Sequence, residues 1–319
     1  MRALTDEDVQ KLLAIEDVIG VVEEGFRLYS LGKTVTPHRM KVSVDYAGGD
    51  ILIMPCLSAD LNIFSTKIVT VYPQNLSKGM PTIHAILVAI NPENGAPHLI
   101  CDAKALTGLR TGAATAISIK YLARKDSKVL GIIGCGYQAK WQLLAATKML
   151  NFEEIKIYDI DREKMLNFKQ NFKEVFDDRI KLMSSVDDLV NSSDVIITAT
   201  TSRYPFVKKK QVKPGTHISA IGAYTPDMAE IEAELIAVSK LVVDSREAAL
   251  SEAGDIIQAI KKGYITKDYI YAEIGEIIAG MKQGRANMDE ITIFKSVGLS
   301  IQDAAAASLL LRKFRNLYS

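Results

Sequence analysis

Gly134, Gly136 and Ala139 follow an apolar run from Val129 to Ile133 and open a helix-like stretch. About twenty residues past this turn, a second strand-like run ends in Asp159. Such a pattern suits the holding of a dinucleotide. Gly134 permits a tight turn, Gly136 lets the backbone approach a pyrophosphate, and Ala139 allows close helix–strand packing. The helix N-terminus offers free N–H groups and a positive dipole end to the phosphates. Gln138 lies in the same segment and joins the candidate cofactor residues. Asp159 is placed to accept hydrogen bonds from adenosine ribose hydroxyls, which favours NAD. Arg162 is placed to reach a 2′-phosphate, which keeps NADP open. A glycine turn alone would fit any α/β domain; with both strands, the helix and the spaced acid, a redox enzyme is the first expectation.

A second set of residues suits an anionic small molecule. Lys67 stands in an otherwise apolar strand-like run, and Arg110 in a helix-like run of small residues. An isolated cation on a protein is usually a solvated surface charge, but a buried one needs a partner. A planar guanidinium grips a carboxylate through two parallel hydrogen bonds, fixing orientation as well as affinity.

The elements that must position these residues fall into two groups. Residues 1 to about 30 read as helical, with Thr5 as N-cap and Asp8 in a capping box. Residues 40–100 read as successive strands with a hairpin turn at Pro92–Gly95, which calls for a mainly antiparallel sheet or small barrel. Ala103–Ala123 reads as one long helix. From Lys128 the pattern alternates strand and helix, with six strand candidates beginning at Val129, Glu154, Ile180, Asp194, His217 and Lys240. That alternation predicts a doubly wound parallel sheet. A final helix over Ser300–Lys313 has no following strand and is expected to return to the first domain. The fold class is therefore α/β, a Rossmann domain over 119–296 joined to an α+β substrate and dimerisation domain over 1–118 and 297–319.

Composition narrows the function. Thirty-nine Lys and Arg stand against 38 Asp and Glu, a formal net charge of +1, so neither a nucleic acid nor a membrane surface is the expected partner. The three cysteines are far apart and form no CxxC, and the four histidines show no metal-ligand spacing, so no metal is expected. The acidic N-terminus is unlike a signal peptide, and no apolar run is long enough to span a bilayer, which together suggest the cytoplasm.

Arg39, Met54-Pro55, Lys67, Pro81-Thr82, the run Leu106–Ala114, the glycine turn, Thr198–Ser202, Pro214-Gly215, and Phe294–Leu299 followed by Asp303 occur in this order. In these motifs the chain resembles the ornithine cyclodeaminase/μ-crystallin family over nearly its whole length. That family also contains an archaeal-type alanine dehydrogenase and several ketimine reductases. The resemblance implies a homodimer formed through the N-terminal sheet, and a substrate held between the domains near the nicotinamide. It assigns Arg39, Lys67 and Arg110 to the substrate α-carboxylate, with Lys67 and Arg110 as the catalytic pair and Lys67 able to protonate an imine nitrogen. Thr82 and Gly298 join the substrate residues by the same match. Thr111, Thr200 and Ser296 join the cofactor residues; Thr200 also reads as a simple strand-end cap.

Two departures from the cyclodeaminase pattern point to the reaction. Leu52 stands where ornithine cyclodeaminases carry a Glu, and Tyr224 where they carry an Asp, Asp227 being three residues out of register. The expectation is an NAD(P)-dependent oxidoreductase that transfers hydride at the α-carbon of a small α-imino or α-amino acid, as a pyrroline-2-carboxylate reductase or an alanine dehydrogenase does. An ornithine cyclodeaminase with catalytic NAD and a non-catalytic μ-crystallin-like binding protein are the alternatives.

Overall fold

The computed structural model describes residues 2–316. The chain forms two compact units, one comprising the residues up to Ala113 together with those from Gly298 onward, the other Ala114–Val297.

The first unit contains β1 (Arg2–Leu4), α1 (Asp6–Leu12), α2 (Ile15–Ser30), β2 (Thr34–Val35), β3 (Met40–Val44), β4 (Gly49–Ser58), β5 (Ile63–Val71), β6 (Ile83–Ile90) and β7 (Pro97–Asp102), and α3 (Lys104–Leu122) begins in it. The expected capping box is present at α1, where the Thr5 hydroxyl accepts from Asp8 N and the Asp8 carboxylate accepts from Thr5 N. Upstream of it the helical expectation fails. Thr5 is extended, the helix cannot grow past its cap, and Arg2–Leu4 pairs in parallel with β7 instead. The sheet is otherwise antiparallel, in the order β1-β7-β6-β5-β4-β2, with β3 also on β4. It is open rather than closed as a barrel. The hairpin between β6 and β7 turns at the expected place, with Gly95 at φ +73° and its N–H donating to Asn91 O.

Alternation along β5 sends Ile63, Ser65, Lys67 and Val69 to the buried face. The C-terminal helix (Ser300–Asn316) packs against α2, β4 and β5, and every residue from Ser300 to Leu311 is buried. Small residues permit this. A Cβ on Gly25 of α2 would lie 3.3 Å from the Cβ of Ala305, so the two helices approach to backbone contact distance. On the opposite face, strand register lines up Met40, Ile53, Ile68 and Ile86 in one apolar row across β3, β4, β5 and β6, with Met40 and Ile86 exposed.

The second unit contains β8 (Val129–Ile133), α4 (Tyr137–Ala146), β9 (Glu154–Tyr158), β10 (Ile180–Leu182), β11 (Val195–Thr198), β12 (His217–Ala220), β13 (Lys240–Val243), β14 (Ala272–Glu273) and β15 (Thr292–Lys295). All eight strands are parallel, in the order β10-β9-β8-β11-β12-β15-β13-β14. The order turns back between β8 and β11, as in a doubly wound sheet. Each of the six expected strands is present. β14 and β15 are additions, and β15 inserts between β12 and β13 with all four residues buried. Its short stretch of Thr, Ile, Phe and Lys has neither the length nor the apolar continuity by which a central strand is read.

Candidate active site

Lys67 reaches the interior because β5 alternates and the C-terminal helix covers that face; it is 1% exposed. An ammonium there requires a counter-charge, and the C-terminal helix supplies one. Asp303 lies 2.9 Å from Lys67 Nζ through Oδ1 and 2.8 Å through Oδ2. Arg110, inward-facing on α3, donates from Nε to the same Asp303 Oδ1 at 3.0 Å and from Nη1 to Gln302 Oε1 at 2.6 Å. Gln302 Oε1 also accepts from Leu299 N, which ties the Arg110 partner to the start of the helix. Arg39, just before β3, donates to Gly298 O at 3.4 Å.

Gly298 explains how the guanidinium fits. Its φ is +87°, and a Cβ there would come within 2.6 Å of Arg110 Nη1. Only glycine serves both demands. The chain of contacts Arg39, Gly298, Arg110, Asp303, Lys67 thus brings together four of the five expected substrate residues. The described hydrogen bond of the fifth, Thr82, lies elsewhere: its carbonyl accepts from Tyr72 N at 2.8 Å in the turn before β6.

Lys67 and Arg110 share one carboxylate, so the pair carries positive charge in excess of its partner. Burial, followed by the Arg110 guanidinium, brings the Lys67 ammonium down to about 7 despite the opposing pull of Asp303. A lysine in that range exchanges its proton at neutral pH and serves as acid or base. Leu52 pairs with Val69 in the register that pairs Met54 with Lys67, so Leu52 shares the Lys67 face. The surroundings of the three cysteines favour the thiol over the thiolate. Burial pushes Cys56 up to about 11 and both Cys101 and Cys135 up to about 12.

In the second unit the glycine turn has the shape a phosphate site needs. Gly134 has φ +96°, and a Cβ on it would meet Ala199 O at 2.6 Å. Gly136 is the N-cap of α4 with no side-chain cap, and a Cβ on it would meet nothing within 4 Å. The protein therefore makes no packing demand for glycine at 136; the open space is what close approach by a pyrophosphate would use. Ala139 is fully buried, and the buried Gln138 Oε1 has no hydrogen-bond partner. The Asp159 carboxylate accepts from Cys135 N at 2.7 Å and from Asp161 N at 2.9 Å, so it braces the turn it follows. Spacing alone does not reveal that task, and each oxygen keeps a lone pair. Arg162 is exposed at the start of the next helix, capped by Asp161.

The remaining candidates are held by their own units. The Thr111 hydroxyl donates to Thr107 O one helical turn back. The Thr200 N–H and hydroxyl both donate to Glu230 Oε1 at 2.8 Å. The Ser296 hydroxyl donates to Asp244 Oδ2 at 2.7 Å. Asp244, Glu230 and Gln302 escaped sequence reasoning because nothing in their spacing marks them. Asp303 was visible only as the acid after the glycine–leucine motif, in a helix otherwise rich in alanine.

The chain is similar to known proteins along its length. The model of the ornithine cyclodeaminase/mu-crystallin family matches residues 2–316. The chain is 43% identical to the alanine dehydrogenase of Archaeoglobus fulgidus over 309 residues, 96% of this chain and 93% of that one. A solved structure of the Thermococcus litoralis Δ1-pyrroline-2-carboxylate reductase in complex with NADH and L-proline superposes with a TM-score of 0.97 at 40% identity, covering 100% of this chain and 98% of that chain. An archaeal alanine dehydrogenase dimer with bound NAD superposes with a TM-score of 0.94 at 38% identity, over 99% and 97% of the two chains. By sequence along its whole described length and by fold, this chain belongs to the ornithine cyclodeaminase/μ-crystallin family.

Proposed function

We propose that the protein is an NAD(P)-dependent oxidoreductase acting at the α-carbon of a small α-imino or α-amino acid. The observation that carries this reading is the buried group of Lys67, Arg110 and Asp303, with Arg39 beside it: an excess of cations with one lysine poised near neutrality. Arg110 and Arg39 receive the α-carboxylate, whose charge completes the balance that Asp303 leaves open. Fixing the carboxylate also fixes the α-carbon next to it. In the reductive direction Lys67 gives its proton to the imine nitrogen and the product is the amine; in the oxidative direction neutral Lys67 takes that proton back. Gly134, Gly136, Gln138 and Asp159 hold the dinucleotide, Thr111, Thr200 and Ser296 contribute to its site, and Arg162 is the residue that would meet a 2′-phosphate. Bound NAD(H) supplies or accepts the hydride.

The apolar Leu52 on the Lys67 face favours a substrate without a distal ammonium, such as pyrroline-2-carboxylate or pyruvate with ammonia. Tyr224 replaces the second carboxylate a cyclodeaminase would use. The protein acts as a homodimer, with the row Met40, Ile53, Ile68 and Ile86 covered by a second copy, and it works in the cytoplasm. Among the described residues no helix is long and apolar enough to cross a membrane.

The deciding experiment follows NADH and NADPH oxidation with pyrroline-2-carboxylate, piperideine-2-carboxylate, and pyruvate plus ammonium. Turnover of one of these with stoichiometric NADH loss supports the reading. Ammonia release from ornithine without net NADH change would replace it with a lyase, and cofactor binding without turnover on the whole panel would replace it with a binding protein.

A further inference from the structure

Glu230 is fully buried in the second unit. Oε1 accepts from the N–H and the hydroxyl of Thr200, each at 2.8 Å. Oε2 accepts from the Thr198 hydroxyl at 2.8 Å, from Gly222 N at 2.8 Å and from Ala223 N at 3.3 Å. One carboxylate therefore ties together the backbone that leaves β11 and the backbone that leaves β12. Those are C-terminal strand ends, on the side of a doubly wound sheet where ligands gather, and β11 lies at the point where the strand order turns back.

The tied segment reaches the glycine turn. Ala199 O and Thr200 Cγ2 are the atoms that a Cβ on Gly134 would meet, at 2.6 and 3.1 Å. Any shift of residues 199–200 is thus felt directly at Gly134. Glu230 is itself anchored. Asp255 Oδ1 accepts from Glu230 N at 2.6 Å and from Ile231 N at 2.9 Å, and Asp255 pairs with Lys295 at 2.8 Å, at the end of β15. Burial raises the Glu230 carboxyl pKa, with Asp255 adding to the rise, while Lys295 and the donors to its oxygens pull it back. Putting an ionisable carboxylate in such a place is costly. An apolar core would fill the space more cheaply, so the expense calls for a task at these strand ends.

We infer that Glu230 is a positioning residue of the dinucleotide site: through Thr200 and Gly222 it fixes the two strand-end segments against which the Gly134 turn is built. The inference rests on the reading of that turn as the cofactor site. The carboxylate cannot be replaced by an amide. Thr200 N faces one oxygen and Gly222 N the other, so whichever way a glutamine is turned its NH2 meets a backbone N–H.

The test is the NADH dissociation constant, read from nucleotide fluorescence, for the wild-type protein, Glu230→Gln and the milder Thr198→Val, which removes one donor. Circular dichroism and thermal unfolding run alongside. Lost hydrogen bonds to a charged group correspond to a tenfold or greater effect. Glu230→Gln is expected to weaken NADH binding by about tenfold to a hundredfold, and Thr198→Val by about threefold. The KM for the imino acid at saturating NADH should move by less than about twofold, within the scatter of remote substitutions. A folded Glu230→Gln protein with unchanged NADH affinity would overturn the inference. So would equal losses for NADH and imino acid, which would mark general loosening. Should Glu230→Gln fail to fold, unchanged NADH affinity in Thr198→Val overturns it. A wild-type protein that does not bind NADH would remove the cofactor reading itself, and this inference with it.

Discussion

Asp303 holds Lys67 through both carboxylate oxygens, at 2.9 and 2.8 Å, and shares one of them with Arg110. The relationship ties a helix near the C-terminus to a strand in the first quarter of the chain, and it sets how many cations the site can keep. Asp303→Asn leaves the buried Arg110 guanidinium with no anion and drives Lys67 toward its neutral form. Breaking a buried pair in this way costs about 3–5 kcal/mol of stability. Urea unfolding should show an unfolding free energy lower by an amount in that range, seen as a midpoint shifted to lower urea, and added substrate anion should restore part of it. An unchanged midpoint would mean that Asp303 is not the counter-charge.

The Lys67 ammonium at about 7 gives the reaction a pH signature whose sign depends on direction. Reduction needs the protonated form, so kcat/KM for the imino acid should be level below neutrality and fall as pH rises through about 7. Oxidation of the amino acid needs the neutral form and should rise over the same interval. kcat/KM reports the free enzyme. Asp303→Asn removes the group that raises this pKa, so the limb should move to lower pH. A limb that stays in place in that variant would assign it to another group.

Gly298 makes a prediction about Arg110. Alanine there adds a Cβ 2.6 Å from Arg110 Nη1 and strains a backbone at φ +87°. The left-handed conformation costs a non-glycine residue about 1–2 kcal/mol. The guanidinium must also move off the carboxylate position. KM for the imino acid should rise about tenfold or more, by analogy with the loss of one charge-assisted hydrogen bond, while the NADH dissociation constant stays within about twofold. Arg110→Ala should produce the same split more strongly. Initial-rate kinetics with NADH binding measured separately distinguish this from a general loss of structure.

The dinucleotide-binding half was legible because its signals are local. The strand, the two glycines, the small helix residue and the spaced acid occupy one continuous stretch, and β8, α4 and β9 form where that stretch predicts. Lys67 and Arg110 could be suspected as cations in apolar surroundings, but their partners could not. Asp303 is 236 positions from Lys67, and only the tertiary fold brings it there. The same holds for Glu230, whose donors belong to two strand ends on one side of it in sequence. β15 was missed because four residues ending in a lysine do not read as a buried strand. That lysine is accommodated only because Asp255 meets it.

The outer face of the first unit makes a prediction about assembly. Met40, Ile53, Ile68 and Ile86 form one apolar row across four strands, and the row is set by register rather than by any sequence motif. Ile86→Arg places a charge at the β6 end of the row that a second copy would cover. Size-exclusion chromatography with light scattering should show the wild-type chain as a dimer and this variant, at the same concentration, as a monomer. A dimer that survives the change would place the contact elsewhere.

Gly136 separates cofactor binding from folding. A Cβ added there meets nothing within 4 Å, so Gly136→Val should fold with stability close to wild type. The helix N-cap tolerates the loss of glycine at a cost of about 1 kcal/mol or less. The added methyl groups nevertheless occupy the space into which a pyrophosphate would settle against the α4 N-terminus. NADH affinity should therefore fall by about a hundredfold or more, the cost of losing several charge-assisted hydrogen bonds to backbone N–H groups, with the thermal midpoint nearly unchanged. At Gly134 the outcome differs in kind: a side chain there meets Ala199 O at 2.6 Å, so substitution should lower stability as well as affinity. The contrast between the two positions, measured by fluorescence titration and thermal unfolding on the same preparations, tests whether the open side of the turn is where the phosphates lie. Equal NADH affinity in Gly136→Val and wild type would move the nucleotide away from this turn.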